Sequence, residues 1–268
     1  MRNMRNHVTG LNITTKSGMD REGCMNGNSS LQPFSSSAYG KVKTKASLEV
    51  VHSDVVGPMR VKSQGGAKNM VTFIDDYSRF IHAYFIQTKG EVFSIFTEFK
   101  ALVENQFGKR IKCLRSVNGG EYINDNFAIL CKNSGIIQQT TVPYSPQQNG
   151  LAERMKRTFT ERARCMLSHM QVEEKWWAET MNTAVCVTNR VPCAAIKFRT
   201  PFEVCYGRKP SVVHFKVFGA QGYAHIDKSK RSKFYKSLQM FVSVLFREHQ
   251  RVSCMEFGSP SSGNDAFS

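Results

Sequence analysis

Two acidic side chains stand where this sequence could do metal-assisted chemistry. Asp54 lies near the end of a strand-like run, Leu48 to Val56, that stops at Gly57-Pro58. Glu153 lies in the first turns of a long helical pattern that runs from beyond Pro146 to about Met170. Carboxylates are the hard ligands that Mg²⁺ takes while keeping several of its waters. Phosphoryl transfer without a covalent intermediate needs two such ions about 3.5 to 4 Å apart, and so calls for clustered carboxylates, commonly three. One strand Asp and one helix Glu are weak support by themselves, because single acids are common at both kinds of place. Lys156 and Arg157, three and four residues beyond Glu153, share its helix face, and Arg164 extends that face. The face reads either as solvated Glu–Arg pairs worth about 0.2–0.5 kcal/mol each, or as a place where an acidic site meets a DNA backbone.

The elements that would position these residues follow from periodicity. Leu48 to Val56, Met70 to Ile74 and Phe80 to Ile86 are apolar, β-branched or aromatic runs joined by short polar links, which predicts an antiparallel meander of three strands. Val92, Phe93, Phe96, Phe99, Val103 and Phe107 recur at helical spacing, and Gly108 closes that helix. A fourth strand is expected over Ile111 to Ser116, a short helix over Asp125 to Lys132 before Gly135, and a fifth strand over Ile136 to Val142. The long helix carries Leu151, Met155, Phe159, Met166 and Met170 as its apolar stripe. Another helix holds Trp176, Trp177, Ala178, Met181, Ala184 and Val185. Adjacent tryptophans cannot share one helix face, so one is expected in the core and the other partly exposed. The order of elements suits an α/β fold, a mixed five-stranded sheet covered by helices.

Charge points to the partner. Thirty-seven Lys and Arg against 21 Asp and Glu give +16 and a pI near 9.6, a field that attracts polyanions, of which nucleic acid is the commonest. No apolar run approaches the roughly 18 residues of a membrane span, so no membrane partner is expected. None of the eight cysteines forms a Cys-x-x-Cys pair and most sit in apolar segments, which fits reduced thiols in an intracellular protein rather than a disulfide framework.

Four motifs then stand in order along the chain. They are His52-Ser53-Asp54-Val55-Val56-Gly57-Pro58, Phe73-Ile74-Asp75-Asp76-Tyr77-Ser78-Arg79, Leu114-Arg115-Ser116-Val117-Asn118-Gly119-Gly120-Glu121-Tyr122, and Pro143-Tyr144-Ser145-Pro146-Gln147-Gln148-Asn149-Gly150-Leu151-Ala152-Glu153-Arg154. Together they resemble the catalytic core of Copia-type retrotransposon integrases, part of retrovirus-related Pol polyproteins. The resemblance covers roughly residues 47 to 240, and four long motifs in the right order are far more specific than one short pattern.

The resemblance implies a ribonuclease-H-like fold, DNA strand transfer with 3′-end processing and joining, and Mg²⁺ or Mn²⁺ held by three acids at Asp54, position 117 and Glu153. Thirty-five residues lie between position 117 and Glu153, as the family requires. Position 117, however, is Val117, and its neighbours Ser116 and Asn118-Gly119-Gly120 are intact, so the change is a substitution and not a shift of register. Valine offers no lone pair to a metal. Metal affinity should fall and this copy should be impaired. Glu121, Asp75, Asp76 and Asn118 are the candidates to compensate, and none is well placed by sequence. The resemblance also assigns DNA contacts to Asn118, Gln148, Asn149, Lys156, Arg157 and Arg164, with Tyr144 on the same loop as Gln148. It implies element ends and target DNA as partners, a homo-oligomer, and action in the nucleus if the protein functions. The rival expectations are a non-catalytic DNA-binding remnant, or a translated transposon fragment without a role.

Four regions are expected. Residues 1–46 are polar and read as a degenerate or disordered remnant of the family's N-terminal zinc-binding region. A tetrahedral zinc site needs four ligands, and only Cys24 and His7 present themselves, so no zinc is expected. Residues 47–195 form the catalytic core, and 196–242 a linker and small basic β-rich module with Lys228, Lys230, Arg231, Lys233 and Lys236. Residues 243–268 form an irregular tail. One codon assignment for Arg251 to Met255, read a base later, gives Gly-Tyr-Arg-Val, which suggests a frame slip near residue 243.

Overall fold

The computed structural model describes residues 44–140, 150–213, 215–225, 238–242 and 255–256. The chain divides into two compact units between positions 214 and 215.

The first unit is built on a five-stranded sheet. Strands β1 (Val51–Val56), β2 (Asn69–Asp75) and β3 (Ile81–Ile86) form the antiparallel meander that the sequence implies, and β4 (Cys113–Ser116) and β5 (Ile137–Thr140) add in parallel, giving the order β3-β2-β1-β4-β5. Parallel neighbours need crossovers, and helices supply them. Helix α1 (Val92–Phe107) leads into β4, and α2 (Asp125–Ser134) leads into β5. Both end on glycines in the left-handed region, Gly108 at φ 60° and Gly135 at φ 67°, where a side chain would be strained. Asn124 caps α2 by accepting a hydrogen bond from the Phe127 amide. Helices α3 (Gly150–Met170) and α4 (Trp177–Arg190) follow, and then a short helix α5 (Pro201–Tyr206). This is a mixed five-stranded sheet flanked by helices, the α/β arrangement expected from the order of elements.

The pleat sorts the side chains into two cores. On one face Val51, Val71, Phe73 and Leu114 pack with Phe96, Phe99 and Val103 of α1 and Phe127 of α2. On the other, Met70, Ile74, Ile81 and Ala83 pack with Ala152, Phe159 and Ala163 of α3 and with Trp177, Met181, Ala184 and Val185 of α4. Strand β2 is buried throughout because it feeds both cores on alternate residues. In β1 the same alternation sends Val51 and Val55 to the α1–α2 side and Val56 to the α3–α4 side.

Three local expectations change. Trp176 and Trp177 are both buried, because the helix does not begin until Trp177 and Trp176 closes a preceding 3-10 turn (Glu174–Trp176). The Trp177 indole also donates to the Val61 carbonyl at 3.0 Å. The buried stripe of α3 is rotated toward its small residues, Ala152 and Ala163 beside Phe159, while Leu151, Met155 and Met166 are only partly buried. Helix α5, where the sequence reading has no helix, follows a Thr200 cap that accepts from the Glu203 amide, with Pro201 in the first turn.

The second unit contains a three-stranded antiparallel sheet in the order β6-β7-β8, made of β6 (Gln221–His225), β7 (Leu238–Val242) and β8 (Met255–Glu256). The zinc-remnant reading of residues 1–46 lies outside the described residues except for its last three positions, as do the basic run from Lys228 to Lys236 and most of the tail.

Candidate functional site

Asp54 is held by the centre of the sheet. Its strand β1 pairs with β2 on one side, where Asp54 sits opposite Thr72, and with β4 on the other. The Thr72 hydroxyl donates to the Asp54 carbonyl at 3.3 Å, which fixes the backbone there. The residue is almost wholly buried, at 4% exposure. Strand alternation places it on the side covered by α3, and the Lys156 ammonium of α3 donates to Asp54 Oδ2 at 2.8 Å. Glu153 is exposed and lies three residues before Lys156 on the same helix, so its side chain belongs to the same face about one turn away. The helix that carries Glu153 packs on the Asp54 side of the sheet.

Position 117 sits beside them in sequence register but not in chemistry. The β1–β4 pairing runs Val51 to Leu114, His52 to Arg115 and Ser53 to Ser116, then stops. One step further in that register would pair Asp54 with position 117. Val117 instead packs partly buried against the α1–α2 core. One residue before Asp54, Ser53 joins Tyr122 through their hydroxyls at 2.5 Å, deep inside. Burial, only partly offset by the Ser53 hydrogen bond and reinforced by the Asp54 and Glu121 charges, pushes the Tyr122 phenol well up, so it is a neutral structural group.

The neighbouring acids are engaged elsewhere. Asp76 lies 3.2 Å from the Arg79 guanidinium and 3.5 Å from His52 Nε2. His52 is therefore a packed strand histidine on the Asp54 face, buried beside Asp76. Asp75 accepts from the Leu48 amide at 2.9 Å and from the Ser78 amide and hydroxyl at 2.9 and 2.6 Å. Burial raises its pKa against those three hydrogen bonds, with the Asp76 charge adding to the rise. The Glu121 carboxylate folds over Gly119, where a Cβ would meet it at 2.6 Å, and lies 4.0 Å from the Lys89 ammonium. The sequence did not foresee this clasp of Asp75, Asp76, Ser78 and Arg79, although adjacent acids followed by Ser and Arg at a tight β2–β3 turn could have signalled it.

The residues present do not fit a pair of divalent cations. Among the described residues no three His, Cys, Asp or Glu side chains converge on a metal-sized site. One of the three seats implied by the resemblance holds a hydrocarbon, and a second, Asp54, already has a cation of the chain's own. The candidate DNA contacts are distributed as follows. Asn118 is exposed just past β4, Arg157 and Arg164 are exposed on α3, and Lys156 is drawn inward to Asp54. Gln148, Asn149 and Tyr144 lie outside the described residues.

Comparison with known proteins agrees with the motifs. The Integrase core domain family matches residues 44–146. The Pol polyprotein of transposon TNT 1-94 from Nicotiana tabacum, described as retrovirus-related, is 42% identical over 210 residues, 78% of this chain and 16% of that protein. The corresponding polyprotein of transposon RE2 from Arabidopsis thaliana is 33% identical over 211 residues, 75% of this chain and 14% of that protein. The chain therefore spans about a sixth or less of the polyproteins it matches. Among solved structures, an intasome of simian T-cell lymphotropic virus in complex with the PP2A regulatory subunit B56 gamma overlaps 79% of both chains at 15% identity and TM-score 0.49. The catalytic core domain of BIV integrase overlaps 59% of this chain and 94% of that one at 20% identity and TM-score 0.43. With the four motifs in order and this identity over most of its length, the chain belongs to the Copia-type integrase cores of retrovirus-related Pol polyproteins.

Proposed function

We propose that this chain is an integrase-type core that binds DNA through its phosphates and is impaired in strand transfer. In the unimpaired reaction, a 3′-hydroxyl of element DNA attacks a target phosphodiester, a new P–O bond forms, and the target strand leaves as a 3′-hydroxyl. The observation that carries the impairment is Val117: its hydrocarbon is absorbed by the α1–α2 core at the position adjoining Asp54. Mg²⁺ or Mn²⁺ chemistry of the kind the family's acids would support then lacks a ligand, with Asp54 and Glu153 as the surviving acids.

DNA binding is supported by the net charge of +16 and by the exposed Arg157 and Arg164 on the helix face that carries Glu153. Asn118, with Gln148 and Asn149 just before α3 in sequence, completes the assigned contact set. Lys156 contributes by cancelling the Asp54 charge, which removes a repulsion that a phosphate would otherwise meet. On this reading the partners are element ends and target DNA, the assembly is a homo-oligomer, and a functional copy acts in the nucleus.

The experiment is a salt titration of binding to a short duplex. Affinity should fall linearly on logarithmic axes as salt rises, and Arg157→Ala and Arg164→Ala should each reduce the slope by about 1. Salt-independent binding, or none at low salt, would contradict the reading.

A further inference from the structure

We infer that the Lys156 ammonium is a resident counter-cation of Asp54, seated where a divalent ion would have to bind, so that an acid restored at position 117 does not by itself create a metal site. The inference rests on the reading above that the metal-binding constellation is broken, and takes it one residue further.

The first support is burial. The Asp54 side chain is 5% exposed. A carboxylate in that position needs a compensating charge, because neither water nor a neutral surround can stabilise it. Lys156 meets the need at 2.8 Å on Oδ2, a charge-assisted contact from a side chain that is itself 37% exposed at its outer part. The long stem lets α3 deliver the charge to the sheet while the rest of the helix face stays in solvent. A dication approaching Asp54 must displace that ammonium or sit beside it, and like charges repel more strongly where water is excluded.

The second support is that the acids of the β2–β3 turn and of the segment after β4 already have partners in the chain. Arg79 holds Asp76, the Leu48 amide and Ser78 hold Asp75, and Glu121 leans over Gly119 toward Lys89. Those carboxylates are spent on other partners, Glu153 is exposed, and the charge in contact with Asp54 is Lys156. Electrostatically, then, the site is balanced without a metal, and the missing acid at position 117 and the basic residue at position 156 act together. The same pair presents DNA with a neutral spot in place of a bare anion.

The test is a Mn²⁺ titration of the full chain, following free Mn²⁺ by electron paramagnetic resonance, on wild type, Val117→Asp, Lys156→Met and Val117→Asp/Lys156→Met. Methionine keeps the stem and removes the charge. The expected result is weak binding by the wild type and both single variants, with the double variant tighter than Val117→Asp by roughly ten- to a hundred-fold. A double variant no tighter than Val117→Asp would overturn the inference. Should Val117→Asp fail to fold, thermal melting in EDTA decides instead. Lys156→Met should lower Tm by about 2–4 °C, and Asp54→Asn on top of it should recover most of that loss. An equal loss with or without the Asp54 carboxylate would overturn it. The proposed function fails on other readouts, DNA joining by the wild type or absent salt-dependent binding, so the two failures are distinguishable.

Discussion

Ser53 stands directly across the parallel β1–β4 pair from Ser116, so the next residue of each strand, Asp54 and Val117, diverge from a common starting line. Asp54 continues onto the face under α3, whereas Val117 leaves the strand and joins the α1–α2 core. Packed there, Val117 contributes to stability as a hydrocarbon. Val117→Ala should cost roughly 1 kcal/mol, the order expected for removing two half-buried methyl groups. Urea denaturation checks it, and a neutral substitution would show that the side chain lies against nothing.

The Ser53–Tyr122 hydroxyl pair locks the segment after β4 onto β1. Tyr122 has no measurable exposure, so deleting its hydroxyl leaves the Ser53 oxygen facing a dry gap. Tyr122→Phe should cost about 1–2 kcal/mol, and Ser53→Ala with Tyr122→Phe should cost less than the sum of the two. Strict additivity in a denaturation cycle would refute the coupling.

At the other end of the sheet, Asn189 of α4 protects an edge. Its Oδ1 accepts from the Ile81 amide at 2.9 Å and its Nδ2 donates to the Ile81 carbonyl at 2.9 Å, imitating the strand that β3 lacks on that side. Asn189→Ala would orphan two buried backbone groups and should cost about 2–4 kcal/mol. Asn189→Asp, which sets an uncompensated carboxylate against the Ile81 carbonyl, should cost at least as much. A loss under about 0.5 kcal/mol by thermal or chemical denaturation would contradict the role.

Much of this architecture is legible in the chain because periodicity reports which faces are buried. Val92 through Phe107 betray α1, and the apolar run from Met70 to Ile74 betrays β2. What escaped is whatever depends on a partner distant in sequence. Asn189 and Ile81 are 108 residues apart, and Lys156 and Asp54 are 102 apart, so no local pattern distinguishes a basic residue that meets DNA from one that neutralises a strand acid. The burial of both tryptophans escaped for a different reason. A 3-10 turn changes the angle between consecutive residues, and helical spacing assumes it constant.

Glu179 on α4 offers a pH signature independent of the site. Its Oε2 is buried and accepts no hydrogen bond among the described residues. Burial raises its pKa above the ordinary 4.5, with only its own backbone amide opposing. A carboxyl whose folded pKa is raised favours the fold fully below the unfolded value, and that contribution is lost as pH rises through the folded value. Glu179→Gln should therefore melt higher than the wild type at pH 8, and the advantage should vanish below about pH 4.5. A Tm difference that does not change with pH would contradict the burial.

The central claim is that an integrase core with Val117 beside Asp54 does not complete strand transfer. The most direct measurement is a joining assay with the wild-type chain, recessed element-end duplexes and a supercoiled target, run in Mg²⁺ and in Mn²⁺. The account predicts no joined product in either metal under conditions where the chain demonstrably binds the duplex. Efficient joining by the wild type would contradict it.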